Sequence, residues 1–290
     1  MPLPEFTYLS PKTKGDLADA LQEHGENAKI LAGGTDIIPN MLAKLYAVDT
    51  LVDITDLEEM SSISYEAGKG LVIGAATKMK AVVGSSIIKE KYGALHKAAS
   101  EVGSPQIRAM ATIGGNSCNA SPAADTPPAL AALGASVTLV SKQGEREMLL
   151  EDFIIGNRIT DLKPGEYLER FTIPDVAPRT ASRFGLSTLR AAVEIDVASV
   201  AVNLTVDNSK KVEAIKIAMG SVAPVPLRAT ETEQMLLGQK LSDDLIDKAS
   251  LKCAAESKPI GDIRASAEYR RHLIKVLTQR TIIETITAIG

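Results

Sequence analysis

The sequence predicts an α+β protein in three parts, and three observations carry that prediction. The first fifty-odd residues alternate short apolar runs with amphipathic stretches of helix length. From residue 58 strands and helices mix around a long polar loop, and near Pro178 the pattern changes to three β-rich runs followed by three amphipathic helices. The parts are set at residues 1–57, 58–177 and 178–290. A chain of 290 residues has room for two or three compact units, and it contains no internal repeat.

In the first part Ser10 can cap a helix over "KTKGDLADALQEH", with Gly25 near its end. A strand follows at "AKILAG". After Gly33-Gly34, Thr35 or Asp36 can cap a helix over "IPNMLAKLY", where Pro39 falls in the first turn and its missing N–H is no loss. "TLVDIT" closes the part as a strand. In the second, "LVIGAA" reads as a strand and residues 78–103 as mostly helical. Residues 104–125 form a long loop rich in small polar residues. Asp125 or Thr126 then caps "PPALAALG", which Gly134 ends. "ASVTLVS" and "REMLLEDF" read as a hairpin around "KQGE". In the third, "SRFGLSTL", "DVASVAVNLTVD" and "VEAIKIAMGSVA" are antiparallel strands, with "NSKK" as a tight turn. Helices follow within "PLRATETEQMLLG", "DDLIDKASLKCAAES" and "AEYRRHLIKVLTQRTIIETI".

Composition excludes several function classes. The net charge is −4 with no block of Lys or Arg, which argues against nucleic acid or anionic membrane as partner. No apolar run approaches the roughly 18 residues of a membrane span, and the N-terminus lacks an apolar signal core, so a cytoplasmic protein is expected. Cys118 and Cys253 are two thiols where an iron–sulfur cluster usually takes four. His24, His96 and His272 are isolated, with no metal-type spacing, so no metal site is expected.

The chemistry concentrates in two glycine pairs. Gly33-Gly34 removes two side chains at a strand–helix junction, where backbone N–H groups can approach a phosphate. In "TIGGNSCN", Gly114-Gly115 offers the same bare backbone, flanked by the neutral donors and acceptors of Thr112, Asn116, Ser117 and Asn119. The ordinary reading of either pair alone is a turn that needs positive φ. Two such pairs, each opening onto a capped helix, point instead to one shared anionic ligand. Neither is a P-loop or a Rossmann fingerprint.

"ILAGGTDIIPNM" and "TIGGNSCNASPAAD" resemble the two flavin-binding loops of the FAD subunit of molybdenum hydroxylases, the family of xanthine, carbon monoxide and nicotinate dehydrogenases. The resemblance extends through "GSPQIRAMATIGGN", "GSVAPVPLRATETEQMLLGQKL" and "SAEYRRHLIKVLTQR", nearly the whole chain. It implies a two-part FAD-binding unit of the vanillyl-alcohol-oxidase type and a C-terminal domain of antiparallel sheet and three helices. By the same resemblance Ile30, Leu31, Ala32, Gly33, Gly34, Thr35, Asp36 and Ile37 would wrap the FAD diphosphate. Thr112, Ile113, Gly114, Gly115 and Asn116 would form the second wall. Asp125 would accept a hydrogen bond from an FAD hydroxyl, Leu168 would pack near the adenine or the ring system, and Val102 would be an apolar contact. Arg108 and Arg190 match positions where the family usually has Arg. Two departures stand out: Leu186 occupies the family's usual lysine position near the flavin, and Ala109 and Ala111 stand where Asn and Gly are frequent.

The function implied is that of an FAD-carrying electron-transfer subunit. It would pass electrons from [2Fe–2S] clusters on a small subunit to an external acceptor such as NAD, while a large subunit hydroxylates substrate at molybdopterin. A dimer of heterotrimers is the implied assembly. The rival readings are a stand-alone flavoenzyme of the same fold, which would need its own acid/base set, and a flavin-free structural subunit.

Overall fold

The computed structural model describes residues 3–45, 47–190 and 193–290. The first part is a small parallel sheet with helical crossovers: β1 (Thr7–Leu9), α1 (Lys14–His24), β2 (Ala28–Leu31), α2 (Ile37–Leu42) and β3 (Thr50–Asp53), in spatial order β1-β3-β2. Thr13, not Ser10, caps α1. Its hydroxyl accepts from the Asp16 amide while the Asp16 carboxylate accepts from the Thr13 amide, a reciprocal box that Ser10 cannot make from three residues further out. The helix after the first glycine pair stops at Leu42, because Lys44 turns to positive φ. Tyr46, the last residue expected in it, lies outside the described residues.

The second part is built on a five-stranded antiparallel sheet in the order β4-β5-β10-β6-β7. Strands β4 (Ile63–Glu66) and β5 (Gly70–Gly74) lead into the helices α3 (Met79–Gly84), α4 (Ser86–Lys91) and α5 (Gly93–Glu101). The run expected as mostly helical is thus three helices, broken at Ser85 and Tyr92, which take extended or irregular backbone. The expected loop at residues 104–125 contains two more, α6 (Pro105–Met110) and α7 (Ile113–Cys118), each started by a side-chain cap from Ser104 or Thr112. Then follow α8 (Thr126–Ala132), the hairpin β6 (Ser136–Ser141) and β7 (Gly144–Leu149), a helical turn α9 (Leu150–Phe153), the short pair β8 (Ile154–Gly156) and β9 (Ile159–Thr160), and β10 (Tyr167–Ile173). The second hairpin strand ends at Leu149, so "LLEDF" is not the strand continuation expected.

One apolar core, with Leu17, Met60, Ile73, Tyr92, Ile113, Phe153 and Phe171 buried in it, runs through both parts. The third part has its own. It comprises β11 (Thr180–Ser187), β12 (Ala198–Val206), β13 (Val212–Gly220) and a short β14 (Leu227–Arg228), all antiparallel, covered by α10 (Thr230–Leu236), α11 (Asp243–Glu256) and α12 (Ala267–Ile289). A seam of small residues, Ala94, Ala98, Ala129, Ala132, Ala201 and Ala218 with Phe184, packs α5 and α8 on β11–β13, and alanine lets these surfaces approach closely. No helix among the described residues is long and apolar enough to cross a membrane.

Candidate functional site

The two glycine pairs meet. Gly33 and Gly34 follow directly on the carboxyl end of β2, where ligands of parallel sheets gather. A Cβ on Gly33 would lie 2.3 Å from the carbonyl oxygen of Met110 and 2.7 Å from Cα of Ala111, so the backbone of the first loop touches the backbone of the second. Gly34 has φ +72°. The amides of Gly33, Gly34, Thr35 and Asp36 find no acceptor among the described residues. Successive unpaired N–H groups around a positive-φ residue form a concavity that suits an anion. Between the loops lies a cavity of about 110 Å³ lined by Ala32, Gly33, Thr55, Ser61, Ala76, Lys78, Met110 and Thr112.

The second pair is arranged differently from the first. Ile113 donates to the carbonyl of Thr77 (3.0 Å), Gly114 to that of Ala75 (2.9 Å) and Asn116 to that of Thr112 (3.0 Å), while Gly115 donates to the Thr112 hydroxyl (3.0 Å). The amides expected to be bare are therefore engaged. They clamp α7 to the end of β5 and build its N-terminal cap. Gly114 is glycine for packing, since a Cβ would lie 2.6 Å from Ala75, whereas Gly115 remains exposed. Asn119, just after α7, donates to Asp36 (3.1 Å) and accepts from Arg158 (2.7 Å), which ties the second loop to the first. Asn119 was among the flanking amides expected at this loop, whereas Arg158 carries no signal that would single it out in sequence.

Asp125 stands at the start of α8 without making a side-chain cap bond. The Thr126 hydroxyl beside it donates to Asn116 (2.6 Å), which ties the start of α8 to the second loop. Burial, with a smaller contribution from Glu101, pushes the Asp125 carboxyl up to about 7. Asp196, ahead of β12, is the acid that sequence reading missed. Burial, then Asp125 and Glu101, push its carboxyl up to about 8. Its position in "EIDVAS", flush against an apolar strand, is the signal that was there to be read.

The other expected residues fall elsewhere. Ile30 and Leu31 belong to β2, and Ile37 opens α2. Val102 and Leu168 are buried in the main apolar core, Leu168 opposite Leu139 in the sheet. Arg108 donates to the carbonyls of Val102 and Gly103, closing the end of α5. Arg190 pairs with Glu194 on the surface (2.6 Å). Leu186 packs against the alanine seam, opposite Ser199. No group of three or more His, Cys, Asp or Glu among the described residues could hold a metal.

Residues 4–176 match the family model of the FAD binding domain in molybdopterin dehydrogenase, and residues 187–285 that of the CO dehydrogenase flavoprotein C-terminal domain. The glyceraldehyde dehydrogenase medium chain of Sulfolobus acidocaldarius is 34% identical over 284 residues, 97% of this chain and 98% of that one. The carbon monoxide dehydrogenase medium chain of Afipia carboxidovorans is also 34% identical, over 96% and 95% of the two chains. The xanthine dehydrogenase FAD-binding subunit of Escherichia coli O157:H7 is 31% identical over 98% of each. Among solved structures, a chain of the Cu,Mo-CO dehydrogenase superposes with a TM-score of 0.94 at 32% identity, both chains covered in full.

Proposed function

The chain belongs to the FAD-binding medium subunits of the molybdenum hydroxylase family, and from that premise we propose that it carries FAD between iron–sulfur clusters on a small subunit and an external acceptor such as NAD. The observation that carries the reading is the row of unpaired amides at Gly33–Asp36, held against the second loop beside a cavity too small for a whole dinucleotide. That row suits the diphosphate, with the remainder of FAD laid across the cleft towards Asp125. Bound FAD supplies the redox chemistry, and the protein supplies position and electrostatics. Gly33, Gly34, Thr35 and Asp36 would hold the diphosphate through their backbone. Thr112, Gly115 and Asn116 would shape the second wall, and Asp125 would take a hydroxyl. Val102 and Leu168 would support that wall from the core behind it.

The assembly belongs to the same proposal. Molybdopterin would reside on a large subunit and [2Fe–2S] clusters on a small one, in a dimer of heterotrimers. The medium chains that this one resembles are named as parts of dehydrogenases, and its own length matches theirs. The boundary near residue 177 is supported by the separate cores on either side, and the boundary near residue 57 by the change from parallel to antiparallel sheet. We expect the purified chain, reconstituted with FAD, to show a flavin spectrum with about one FAD per chain, released by acid. A chain that takes up no flavin would overturn the reading.

A further inference from the structure

We infer that Lys78 is the cationic group of the FAD site, its ammonium paired with the diphosphate that lies along the amides of Gly33 to Asp36. The inference rests on the flavin reading above and adds to it a charged residue that belongs to neither glycine loop.

Lys78 stands between the end of β5 and the start of α3, at the wall that the two loops share. Its backbone is held on the second loop from both sides. Lys78 pairs with Thr112 as an isolated antiparallel bridge, Met79 donates to the Ala111 carbonyl (2.8 Å), and Ile113 donates to the Thr77 carbonyl (3.0 Å). The second loop is in turn pressed against Gly33, where a Cβ would meet the Met110 carbonyl at 2.3 Å. Lys78 and Gly33 therefore line one cavity, together with Ala32 and Thr112. Among the described residues Lys78 is the only charged one that lines it.

The chain leaves that ammonium unused. Lys78 is exposed and makes no ion pair or side-chain hydrogen bond among the described residues. The acids on either side of Thr55, another lining residue, are committed elsewhere. Asp53 accepts from the Tyr8 hydroxyl (2.5 Å) and the Thr55 amide (2.8 Å), and Asp56 pairs with Lys12 (2.9 Å). Asp36, at the far end of the amide row, accepts from Asn119 (3.1 Å). In a chain of net charge −4, this one spot thus gathers a free ammonium and four free N–H groups, with no carboxylate lining the cavity.

Donors that find no acceptor in the chain are complemented by an anion. Backbone amides offer only partial charge, whereas an ammonium adds a full one. It carries three donors on a flexible stem, so it can meet phosphate oxygens without demanding a single angle. Once the ligand covers the cavity, the pair is shielded from water on one side and is worth more than an exposed surface bridge.

The test uses the full chain stripped of flavin, with FAD titrated by fluorescence and ADP as a competitor that carries the diphosphate without the flavin. Affinity of the wild type for both should fall as sodium chloride rises, because salt screens a pair at the rim of a cleft. Lys78→Met should leave the melting temperature of the flavin-free chain unchanged, since the side chain is exposed and only its backbone is bonded. It should weaken FAD and ADP alike by about tenfold at low salt and flatten the salt dependence of both. Lys78→Arg should keep affinity and slope, because the charge is retained. Wild-type affinity and slope in Lys78→Met overturn the inference and leave the flavin reading intact. So does a loss for FAD without a loss for ADP, which would put Lys78 beside the flavin ring. A wild type that takes up no FAD overturns the flavin reading and the inference with it. Should Lys78→Met aggregate, Lys78→Gln decides by the same readings.

Discussion

A methyl group on Gly33 has nowhere to go. It would meet the Met110 carbonyl at 2.3 Å, and neither partner can give way because both are backbone. Gly34 is constrained in another manner: its φ of +72° costs a residue with Cβ about 1 kcal/mol or more, although the nearest atom, Leu31 Cδ1, is 3.2 Å away. Gly34→Val should therefore leave the chain folded while the crowded amides lose FAD affinity by about tenfold or more. Gly33→Ala should lower Tm more than Gly34→Val, because it pries the loops apart. Isothermal titration with FAD and thermal melts on both variants separate the two effects; unchanged affinity in Gly34→Val defeats the loop assignment. The glycine pairs were legible in sequence because only glycine serves both purposes. The division of labour between them was not, since the Gly114 amide is consumed by the carbonyl of Ala75, nearly forty residues away, and that of Gly115 by the Thr112 hydroxyl. Asp196 was legible in part, as an acid set flush against the apolar run of β12, and it is buried in the fold.

At the scale of elements, a polar tie fastens β14 and α10 to the middle of the sheet. Arg228 donates to both oxygens of Glu233 (2.8 and 2.6 Å) and to Glu151 on α9 (3.1 Å), and Glu233 also accepts the amide of Ile217 (2.7 Å). Glu233→Ala leaves the half-buried guanidinium with Glu151 alone and strands the Ile217 amide, so about 1–3 kcal/mol of stability should be lost. Arg228→Met with Glu233→Met removes both charges and should cost less than the single change, although the Ile217 amide still lacks its acceptor. Urea unfolding of the two variants checks the order; equal losses would mean that solvent replaces the missing carboxylate. The C-terminal strands and helices were legible because their periods are long and uninterrupted. Strands β1 and β10 were missed because their partners lie far off in sequence, β1 pairing with β3 and β10 with β5 and β6 rather than with a neighbour; β4 was missed although it pairs with β5 next to it. The two short helices inside the expected loop were missed because Gly and Ser favour loops, yet caps from Ser104 and Thr112 and a Pro at the first position of α6 were enough to start them.

At the scale of the molecule, the proposed site lies between the first two parts, and the chain supplies a place for FAD without a place for the oxidised substrate. Its relatives named as medium chains or FAD-binding subunits are covered almost end to end. The cavity beside the unpaired amides is lined by Ala32, Gly33, Ala76 and Met110 with Thr55, Ser61, Lys78 and Thr112, with no paired acid and base that could process a substrate. The chain alone should thus hold FAD yet oxidise neither purines, nicotinate nor carbon monoxide. Isolated from its source, it should travel with one polypeptide carrying iron–sulfur clusters and one carrying molybdopterin. Native mass spectrometry of that complex should give a mass of two medium, two small and two large chains, and mild dissociation should release the medium chain with its flavin. A flavin-loaded oligomer of this chain alone, turning over a substrate with no other subunit, would instead make it a self-sufficient flavoenzyme and move the search for an acid/base set to the surroundings of the cavity between the two glycine loops.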